Sequence, residues 1–370
     1  MRIVTVGIIV LIISLFFPSI GQAKPEISGQ NAILMEQSTG RVLFEKNAHD
    51  PESIASITKI MTAIIAIESG KMQEKAKTSR KAIYTEGSSI YLEQGEKMTI
   101  NDLVYGLMLR SGNDAAVAIS EHIGGSEEGF VYLMNEKAKW LGMNHTHFDN
   151  PHGLDSDSHY SSAYDMAILM SYAMKNKTFR KITGAQSYLS ENRTYSWQNK
   201  NKLLTQYYDY CTGGKTGYTK KTGRTLVSSA EKDGMSLIAV TLDAPDDWRD
   251  HIQMFEWGFT NYDMEKIAEE KSISFKLNES SKVMSGYMQD DIAYPLTDKE
   301  KAKVTNQLYI VKDASEITSE RIGKNVFYLD GKEIAETDVL RNEQKLEQRK
   351  TIFESFISLL QQVVGVGVKW

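Results

Sequence analysis

The chain has 370 residues, enough for two ordinary domains or for one large domain with an appendage. Its 43 Lys and Arg residues against 48 Asp and Glu residues give a net charge of −5, which excludes the strong positive charge of dedicated nucleic-acid-binding proteins. The single cysteine, Cys211, excludes an intramolecular disulfide and any metal site built from several cysteines.

The first 23 residues have the pattern of a secretory signal peptide. Arg2 is followed by an uncharged apolar run over residues 3–17, and residues 21–23 supply the small side chains that a signal peptidase requires. An uncleaved membrane anchor is the alternative, because a stretch of this length could just span a bilayer. Cleavage is the favoured interpretation, so we expect an exported protein.

The next part of the chain alternates one hairpin with several helices. Residues 32–45 predict the hairpin, and an apolar helix after residue 55 is predicted to end at Gly70 in the C′ position. Further helices are predicted after Asn101 as a cap, over residues 127–141, and over residues 164–174 behind a capping box that runs from Ser162 to Asp165.

After residue 210 the pattern changes to strands. Residues 214–219, 225–230 and 235–242 predict three consecutive strands, and a helix over residues 248–257 is predicted to end at Gly258. Helices bracketed by strands from both ends of a region indicate an α+β body whose sheet joins distant parts of the chain.

The C-terminal third divides into two further segments. Short alternating runs predict a small β-rich domain over residues 263–340, after the α+β body over residues 24–262. Residues 341–370 are first dense in charge and then place apolar side chains on one face of a helix. We expect this helix to lie on a membrane surface, and a terminal helix packed on the body is the alternative.

Ser56 and Lys59 are the first pair of residues that could carry chemistry. Their spacing puts a hydroxyl and an amine on the same helical face, at a helix N-terminus whose free N–H groups could hold an oxyanion. Lysine acts as a base only if its pKa falls, as burial or a second cation would cause. A second Ser-x-x-Lys match at residues 229–232 lies at a predicted strand end and is discounted.

Two further short motifs follow in the chain. Ser111-Gly112-Asn113 lies between predicted helices, and Lys215-Thr216-Gly217 lies on a predicted strand. That strand offers a cation, a hydroxyl and a backbone unobstructed by a side chain, which suit an extended peptide with a carboxylate. A second Lys-Thr-Gly at residues 221–223 lacks the same flanking residues and is not preferred.

The three motifs in this order are the signature of penicillin-binding proteins and serine β-lactamases. The longer stretches ASITKIMTA, LMLRSGNDAAVAI, NPHGLD and GGKTGYT resemble the D-alanyl-D-alanine carboxypeptidases, most closely those of the sporulation type from endospore formers. The resemblance covers most of residues 30–262. It implies an α+β, β-lactamase/transpeptidase-like domain, with an antiparallel sheet flanked by helices, followed by a small β-rich domain.

The resemblance also implies a catalytic group of three residues. Ser56 would be the nucleophile that is acylated by the penultimate D-alanine, Lys59 its general base, and Ser111 the relay of a proton to the leaving D-alanine. The implied substrate is the peptidoglycan stem peptide, the implied location is the outer face of the cytoplasmic membrane or the wall, and β-lactams would be covalent inhibitors. No cofactor and no metal is implied.

Five residues are implied to bind the substrate. Asn113 would bind the peptide backbone, and Lys215 and Thr216 would orient the terminal carboxylate. Gly217 lets the peptide approach the strand, and the N–H of Tyr218 would form the oxyanion hole together with that of the nucleophile. Family members often carry an arginine near this carboxylate; Arg249 is nearby in sequence, but its register is unsettled and it is left out of the predicted site.

Other functions are weighed against this interpretation. A class A β-lactamase needs a glutamate in a Glu-x-x-Leu-Asn segment, and none occurs between Asn113 and Lys215. A β-lactam sensor that stays acylated is a second alternative. The histidines near residue 150 lack the spacing of a metal site, and Cys211 is interpreted as a bystander that packs beside the active-site strand.

Overall fold

The computed structural model describes residues 23–276, 283–311 and 321–341. The predicted signal peptide, apart from Ala23, and the predicted C-terminal amphipathic helix, apart from Arg341, lie outside these residues. Over the described part of the chain, no helix combines the length and the apolar character needed to cross a membrane.

Within the described residues, the part of the chain before residue 263 contains nine strands. In chain order they are β1 Asn31–Glu36, β2 Val42–Lys46, β3 Lys75–Lys77, β4 Lys97–Thr99, β5 Ser187–Tyr188, β6 Trp197–Gln198, β7 Cys211–Thr219, β8 Gly223–Lys232 and β9 Met235–Leu242. The α-helices are α1 Lys59–Glu68, α2 Arg80–Ile83, α3 Ile100–Tyr105, α4 Asn113–Gly124, α5 Glu127–Trp140, α6 Ala163–Lys175, α7 Lys177–Thr183 and α8 Asp247–Asn261.

The main sheet has five antiparallel strands in the order β2-β1-β9-β8-β7. Strand β1, from the start of the domain, pairs with β9, more than 200 residues later, with Ile33 opposite Val240. The predicted sheet that joins distant parts of the chain is therefore confirmed. Strand β7, which carries the Lys-Thr-Gly motif, is at one edge of the sheet and has β8 as its neighbour.

Helices cover both faces of this sheet. Because side chains alternate along a strand, Ile33 and Met35 of β1 belong to the core beneath the main helical layer, whereas Ala32 and Leu34 face the core that α8 covers. Helix α1 lies inside the helical layer and is buried from Lys59 to Ile67. An all-round apolar sequence is what such a central helix requires.

The helix and strand predictions are largely confirmed, including the hairpin, the three strands after residue 210 and Gly70 as a left-handed residue with φ 73° after α1. Three details of the predicted helix ends are wrong: the cap of α3, the capping box of α6 and the end of α8. Thr99 rather than Asn101 caps α3, because its hydroxyl accepts from the Asp102 N–H at 3.1 Å. Ser162 caps α6 as predicted, but the Asp165 carboxylate accepts from the His145 N–H instead of completing the capping box.

Gly258 does not end α8, which continues to Asn261. A Cβ at Gly258 would lie 2.7 Å from a methyl carbon of Leu237 and 2.9 Å from one of Leu34. The glycine is therefore needed where the helix approaches the sheet, not where the helix stops.

The region after residue 263 is rich in strands, as predicted. Strands β10 Asp263–Ala268 and β13 Ile292–Leu296 form one pair. Five further strands are β11 Lys271–Lys276, β12 Val283–Met288, β14 Val304–Ile310, β15 Arg321–Leu329 and β16 Lys332–Leu340. They form a second sheet in the order β11-β12-β16-β15-β14. A short helix, α9 Asp298–Lys301, lies between β13 and β14 in the described part of the chain.

Arg41 joins this β-rich region to the main sheet. Its guanidinium lies 2.5 Å from the Glu300 carboxylate and 5.2 Å from the ring centres of Tyr262 and Tyr294. Combined charge pairing and aromatic stacking at a half-buried arginine fix the two regions against each other at this point.

Candidate active site

Ser56 lies in a 3-10 turn, Ala55–Thr58, that leads directly into α1. The preceding residue, Ala55, has φ 48°, a left-handed conformation that is uncommon for alanine. Gly153 packs against it so closely that a Cβ there would lie 2.0 Å from the Ala55 carbonyl oxygen. The residue before Ser56 therefore has an unusual backbone conformation and is closely packed against Gly153.

Lys59, one turn further along, is fully buried and points at Ser56. Its Nζ lies 2.9 Å from Ser56 Oγ and 2.7 Å from Asn113 Oδ1, and it also donates to the carbonyl oxygen of His152. His152 belongs to the NPHGLD stretch, so that loop closes over the lysine.

Burial lowers the pKa of Lys59 well below its usual value, and the positive charges of Lys215 and Lys200 lower it further, while Asp114 opposes them. A neutral amine has two N–H groups and one lone pair. The amide oxygen of Asn113 and the carbonyl oxygen of His152 can take the two N–H groups. The lone pair then faces Ser56 Oγ, in the geometry required of a base that removes the hydroxyl proton.

Ser111 and Asn113 flank the start of α4. A π-type turn, Gly106–Arg110, ends at Ser111, which has φ 64°, and the helix begins two residues later. This bend brings Ser111 to the cavity wall and places Asn113 behind Lys59. Since the Asn113 amide also donates to the Glu86 carbonyl, the structure gives it a role in holding Lys59; binding of the peptide by Asn113 stays a prediction.

Strand β7 passes directly beside Ser56. A Cβ at Gly217 would lie 3.0 Å from the Ser56 backbone nitrogen and 2.4 Å from Thr225 Oγ1, so the close approach requires glycine. Lys215 is 2% exposed, and its Nζ donates to the Thr216 carbonyl at 2.7 Å. Burial, together with the charge of Lys200, lowers the pKa of Lys215 to about 7.

An open cavity of about 310 Å³ lies over these groups. Five of the eight predicted site residues line it, namely Ser56, Ser111, Thr216, Gly217 and Tyr218. The other three are buried. Lys59 contacts both Ser56 and Asn113, and Lys215 is near enough for its charge to lower the pKa of Lys59. The structure thus brings the three sequence motifs together in one place.

Two cations in the cavity wall were not predicted. Lys200 donates to Ser88 Oγ at 3.1 Å, and no motif marks it in the sequence. Arg224 lies on β8 opposite Tyr218, pairs with the Asp247 carboxylate at 2.6 Å and stacks 5.6 Å from the Trp248 ring centre.

Arg249, the arginine weighed from the sequence, has a side chain that is 71% exposed and lies 3.8 Å from Asp246. It is not among the residues that line the cavity, whereas Arg224 is. Arg224 could have been found from the strand register, because this residue directly follows the second Lys-Thr-Gly, which forms the turn into β8.

The discounted candidates lie away from the reacting groups. Ser229, of the second Ser-x-x-Lys, sits within β8 and hydrogen-bonds Thr212. Burial raises the pKa of the Cys211 thiol to about 12, so the thiol stays protonated at ordinary pH. Within the three described ranges, no group of three metal-ligating side chains converges.

The antiparallel sheet with its helical layers and the serine–lysine pair beside the edge strand define the class of the penicillin-binding proteins. A family model described as D-alanyl-D-alanine carboxypeptidase, peptidase family S11, matches residues 19–246. The chain belongs to this family, as the resemblance in its motifs predicted, and its predicted fold class is confirmed.

Individual relatives agree with this assignment. The chain is 33% identical to the D-alanyl-D-alanine carboxypeptidase DacF of Bacillus subtilis, over 96% of this chain and 95% of that protein. It is 31% identical to DacA of Haemophilus influenzae over 86% of each chain. Among solved structures, penicillin-binding protein 5 from Haemophilus influenzae superposes with a TM-score of 0.75 at 29% identity, covering 86% of this chain and 98% of that one.

Proposed function

We propose that the chain is a serine-type D-alanyl-D-alanine carboxypeptidase that removes the terminal D-alanine of peptidoglycan stem peptides and thereby limits cross-linking of the wall. One observation carries the mechanism: the amine of the buried Lys59 lies 2.9 Å from Ser56 Oγ, with its two other contacts made to oxygen acceptors. Membership of the family supports the reaction and the substrate class.

In the acylation step Lys59 takes the proton of Ser56 as Oγ attacks the carbonyl carbon of the penultimate D-alanine. The resulting oxyanion would accept hydrogen bonds from the backbone N–H groups of Ser56 and Tyr218. When the peptide bond breaks, the leaving nitrogen receives a proton through Ser111, and free D-alanine departs. The tight contact of Gly217 with the Ser56 nitrogen supports this placement of the two N–H groups.

The departing residue carries a carboxylate, and the site carries cations to bind it. Lys215 and Thr216 are the predicted partners, and Arg224 and Lys200 add positive charge in the cavity wall. Arg224 is the better candidate than Arg249 for the arginine that the family resemblance implies, because it lines the cavity and its guanidinium is fixed by Asp247.

In the deacylation step a water molecule attacks the acyl carbon and gives a proton to Lys59. The bond between that carbon and Ser56 Oγ then breaks, Oγ takes the proton from Lys59, and the shortened peptide leaves. β-Lactams would acylate Ser56 by the same first step. Their acyl-enzyme should persist, since the sequence between Asn113 and Lys215 lacks the Glu-x-x-Leu-Asn segment with which class A β-lactamases activate water.

The enzyme would work outside the cytoplasm. The signal-like residues 1–23 and the amphipathic residues 341–370 support export and attachment to the outer face of the membrane. A chain that ends at Leu340 should be released from membranes and keep its activity on small peptides. Unchanged membrane association of that chain would rule out the proposed anchor; the sporulation subtype stays a prediction.

The proposal is tested by comparing Ser56→Ala with Ser229→Ala, the serine of the second Ser-x-x-Lys. Release of D-alanine from a peptide ending in D-Ala-D-Ala and the mass added by penicillin are measured in both. Ser56→Ala should lose both signals and Ser229→Ala should keep both. Rapid turnover of a chromogenic β-lactam would favour a β-lactamase, and stable acylation without D-alanine release would favour a sensor.

A further inference from the structure

The left-handed residue before the nucleophile has its own hydrogen-bond support. Ala55 is 2% exposed, and its carbonyl oxygen accepts from the hydroxyl of Thr58 at 2.8 Å. Thr58 is fully buried, at the other end of the same turn. The turn that presents Ser56 is therefore closed by a side chain as well as by its backbone.

The Thr58 hydroxyl has a second partner, which lies about 100 residues away in the chain. Its Oγ1 is 2.7 Å from Nε2 of His159, a side chain that is 3% exposed. On the other side of the ring, Nδ1 of His159 lies 3.0 Å from the backbone nitrogen of Asp149.

The direction of this chain of hydrogen bonds follows from the backbone. The Asp149 N–H can only donate, so Nδ1 of His159 is the unprotonated nitrogen and Nε2 carries the hydrogen. Nε2 therefore donates to Thr58 Oγ1, and the Thr58 hydroxyl donates onward to the Ala55 carbonyl. Each of the three donors, the Asp149 N–H, the His159 Nε2–H and the Thr58 hydroxyl, has one acceptor, so the direction of each hydrogen bond determines that of the next.

We propose that His159 and Thr58 are positioning residues for the acylation of Ser56, because their hydrogen-bond chain holds Ala55 in the conformation that aims Ser56 at Lys59. The proposal rests on the proposed role of Ser56 as nucleophile. It adds two residues that touch no reacting atom and that act through the turn.

The loop that supplies His159 also holds the other reacting group. Gly153 of this loop is wedged against the turn, where a Cβ would lie 2.0 Å from the Ala55 oxygen and 2.9 Å from Thr58 Oγ1. The neighbouring His152 gives its carbonyl oxygen to the amine of Lys59. One loop therefore fixes both the serine turn and the lysine, which sets the distance between them.

The surroundings of His159 keep its ring neutral, with the hydrogen on Nε2. Burial lowers its pKa to about 4, with Asp149 and Asp155 raising it and His147 and Lys59 lowering it to smaller extents. The ring is accordingly neutral over the range in which a carboxypeptidase would be assayed, and its tautomer is the one that donates to Thr58.

A second buried histidine provides the contrast. His251 is fully buried between Ser228 and Thr241, which both lie on strands of the sheet, and its Nε2 is 3.1 Å from Thr241 Oγ1. It supports the packing of α8 on the sheet and does not contact the serine turn. His251→Leu is therefore the matched control for the loss of a buried, hydrogen-bonded imidazole.

The experiment measures kcat and KM for D-alanine release in Thr58→Val, His159→Leu, Thr58→Ser, His159→Gln and His251→Leu, with melting temperatures recorded for all. Thr58→Val and His159→Leu should lower kcat by about 100-fold, as small misplacements of reacting groups do. KM should change by less than about threefold, because the substrate-binding strand is untouched. The double variant Thr58→Val/His159→Leu should have a kcat no lower than that of Thr58→Val alone, because both residues belong to one chain of hydrogen bonds.

The conservative variants separate positioning from mere stability. Thr58→Ser keeps the hydroxyl, and His159→Gln can place an N–H near the position of Nε2, so both should recover most of kcat. His251→Leu should lower the melting temperature and leave kcat unchanged. Wild-type kcat in folded His159→Leu would overturn the proposal, as would failure of both conservative variants to restore it. If Ser56→Ala itself stays active, the proposed function fails instead.

Discussion

Two lysines of the helical layer are buried, and the charges that surround their amines differ. Lys137 on α5 is 2.6 Å from the Glu68 carboxylate and 2.9 Å from the Tyr172 hydroxyl. Lys59 on α1 contacts three uncharged oxygen atoms, those of a hydroxyl, an amide and a peptide carbonyl. Both amines have hydrogen-bond partners, but only Lys137 has a counter-charge at contact distance among them.

The pKa values follow from this difference. Burial lowers the pKa of both lysines, but the charge and hydrogen bond of Glu68 act against it at Lys137. At Lys59 the nearby cations Lys215 and Lys200 add to the effect of burial. A buried lysine with a counter-charge is a structural ion pair, whereas one surrounded by neutral oxygens and cations becomes a base.

The largest expected effect comes from removing the amine of Lys59. Lys59→Met should lower kcat/KM for D-alanine release by about 10³-fold, because a positioned general base is worth that much. The folded state should lose less stability than when a buried charge loses its partner, because Lys59→Met takes a donor only from neutral acceptors, the oxygens of Asn113 and His152. Steady-state kinetics and thermal unfolding measure the two quantities; a variant that keeps a tenth of the wild-type rate would contradict the assignment of the base.

Lys137→Met should show the opposite pattern. The Glu68 carboxylate, 4% exposed, would stay buried without its counter-charge, at a cost of about 3–5 kcal/mol in the free energy of unfolding. The kcat of the folded enzyme should not change. Chemical denaturation measures the loss, and Lys137→Met combined with Glu68→Leu is the control, because removing both charges should recover much of the stability.

A third variant gives Lys59 a neighbouring carboxylate of the kind that Lys137 has. Asn113→Asp puts a carboxylate beside Lys59, which should raise the pKa of its amine, as Glu68 does at Lys137. Since activity requires neutral Lys59, the rising limb of the profile of kcat/KM against pH should move upward by about 1 pH unit or more. The falling limb, where Lys215 with a pKa of about 7 in the free enzyme loses its charge, should move less.

The control for that change is Asn113→Ala, which removes the amide without adding charge. Both variants lose the hydrogen bond to the Glu86 carbonyl, so both should lose stability. Only Asn113→Asp should move the rising limb upward. If the limb stays in place while the maximum rate falls, Lys59 is not the group that titrates there.

The three motifs and the α+β fold could be predicted because they depend on short spacings and on alternation within single elements. Ser56 and Lys59 share a helical face whatever surrounds the helix. The end of α8 could not be predicted in the same way, because Gly258 is an ordinary stop signal in sequence. Its real reason, contact with Leu34 and Leu237, depends on strands from both ends of the domain.

The parts of the site that escaped prediction depend on register and on loops. Arg224 reaches the cavity because the turn after β7 pairs it with Tyr218, and that turn closes at Gly223 with φ 70°. Lys200 lies in a segment with no motif. The orientation of Asn113, toward Lys59 rather than toward an open cavity, follows from the turn at Ser111.

The smallest expected effect compares Arg224 with Arg249. Arg224→Ala should raise KM by about tenfold, near 1.4 kcal/mol of lost binding, while Arg249→Ala should change it less than about twofold. Arg224→Ala also leaves Asp247 buried without its partner, so Arg224→Lys, which keeps the charge, is measured beside it. A substrate whose terminal carboxylate is replaced by an amide shows why KM rises in Arg224→Ala. If Arg224 binds that carboxylate, the tenfold difference between wild type and Arg224→Ala should vanish with the amide, and if it persists the arginine acts through the shape of the cavity wall.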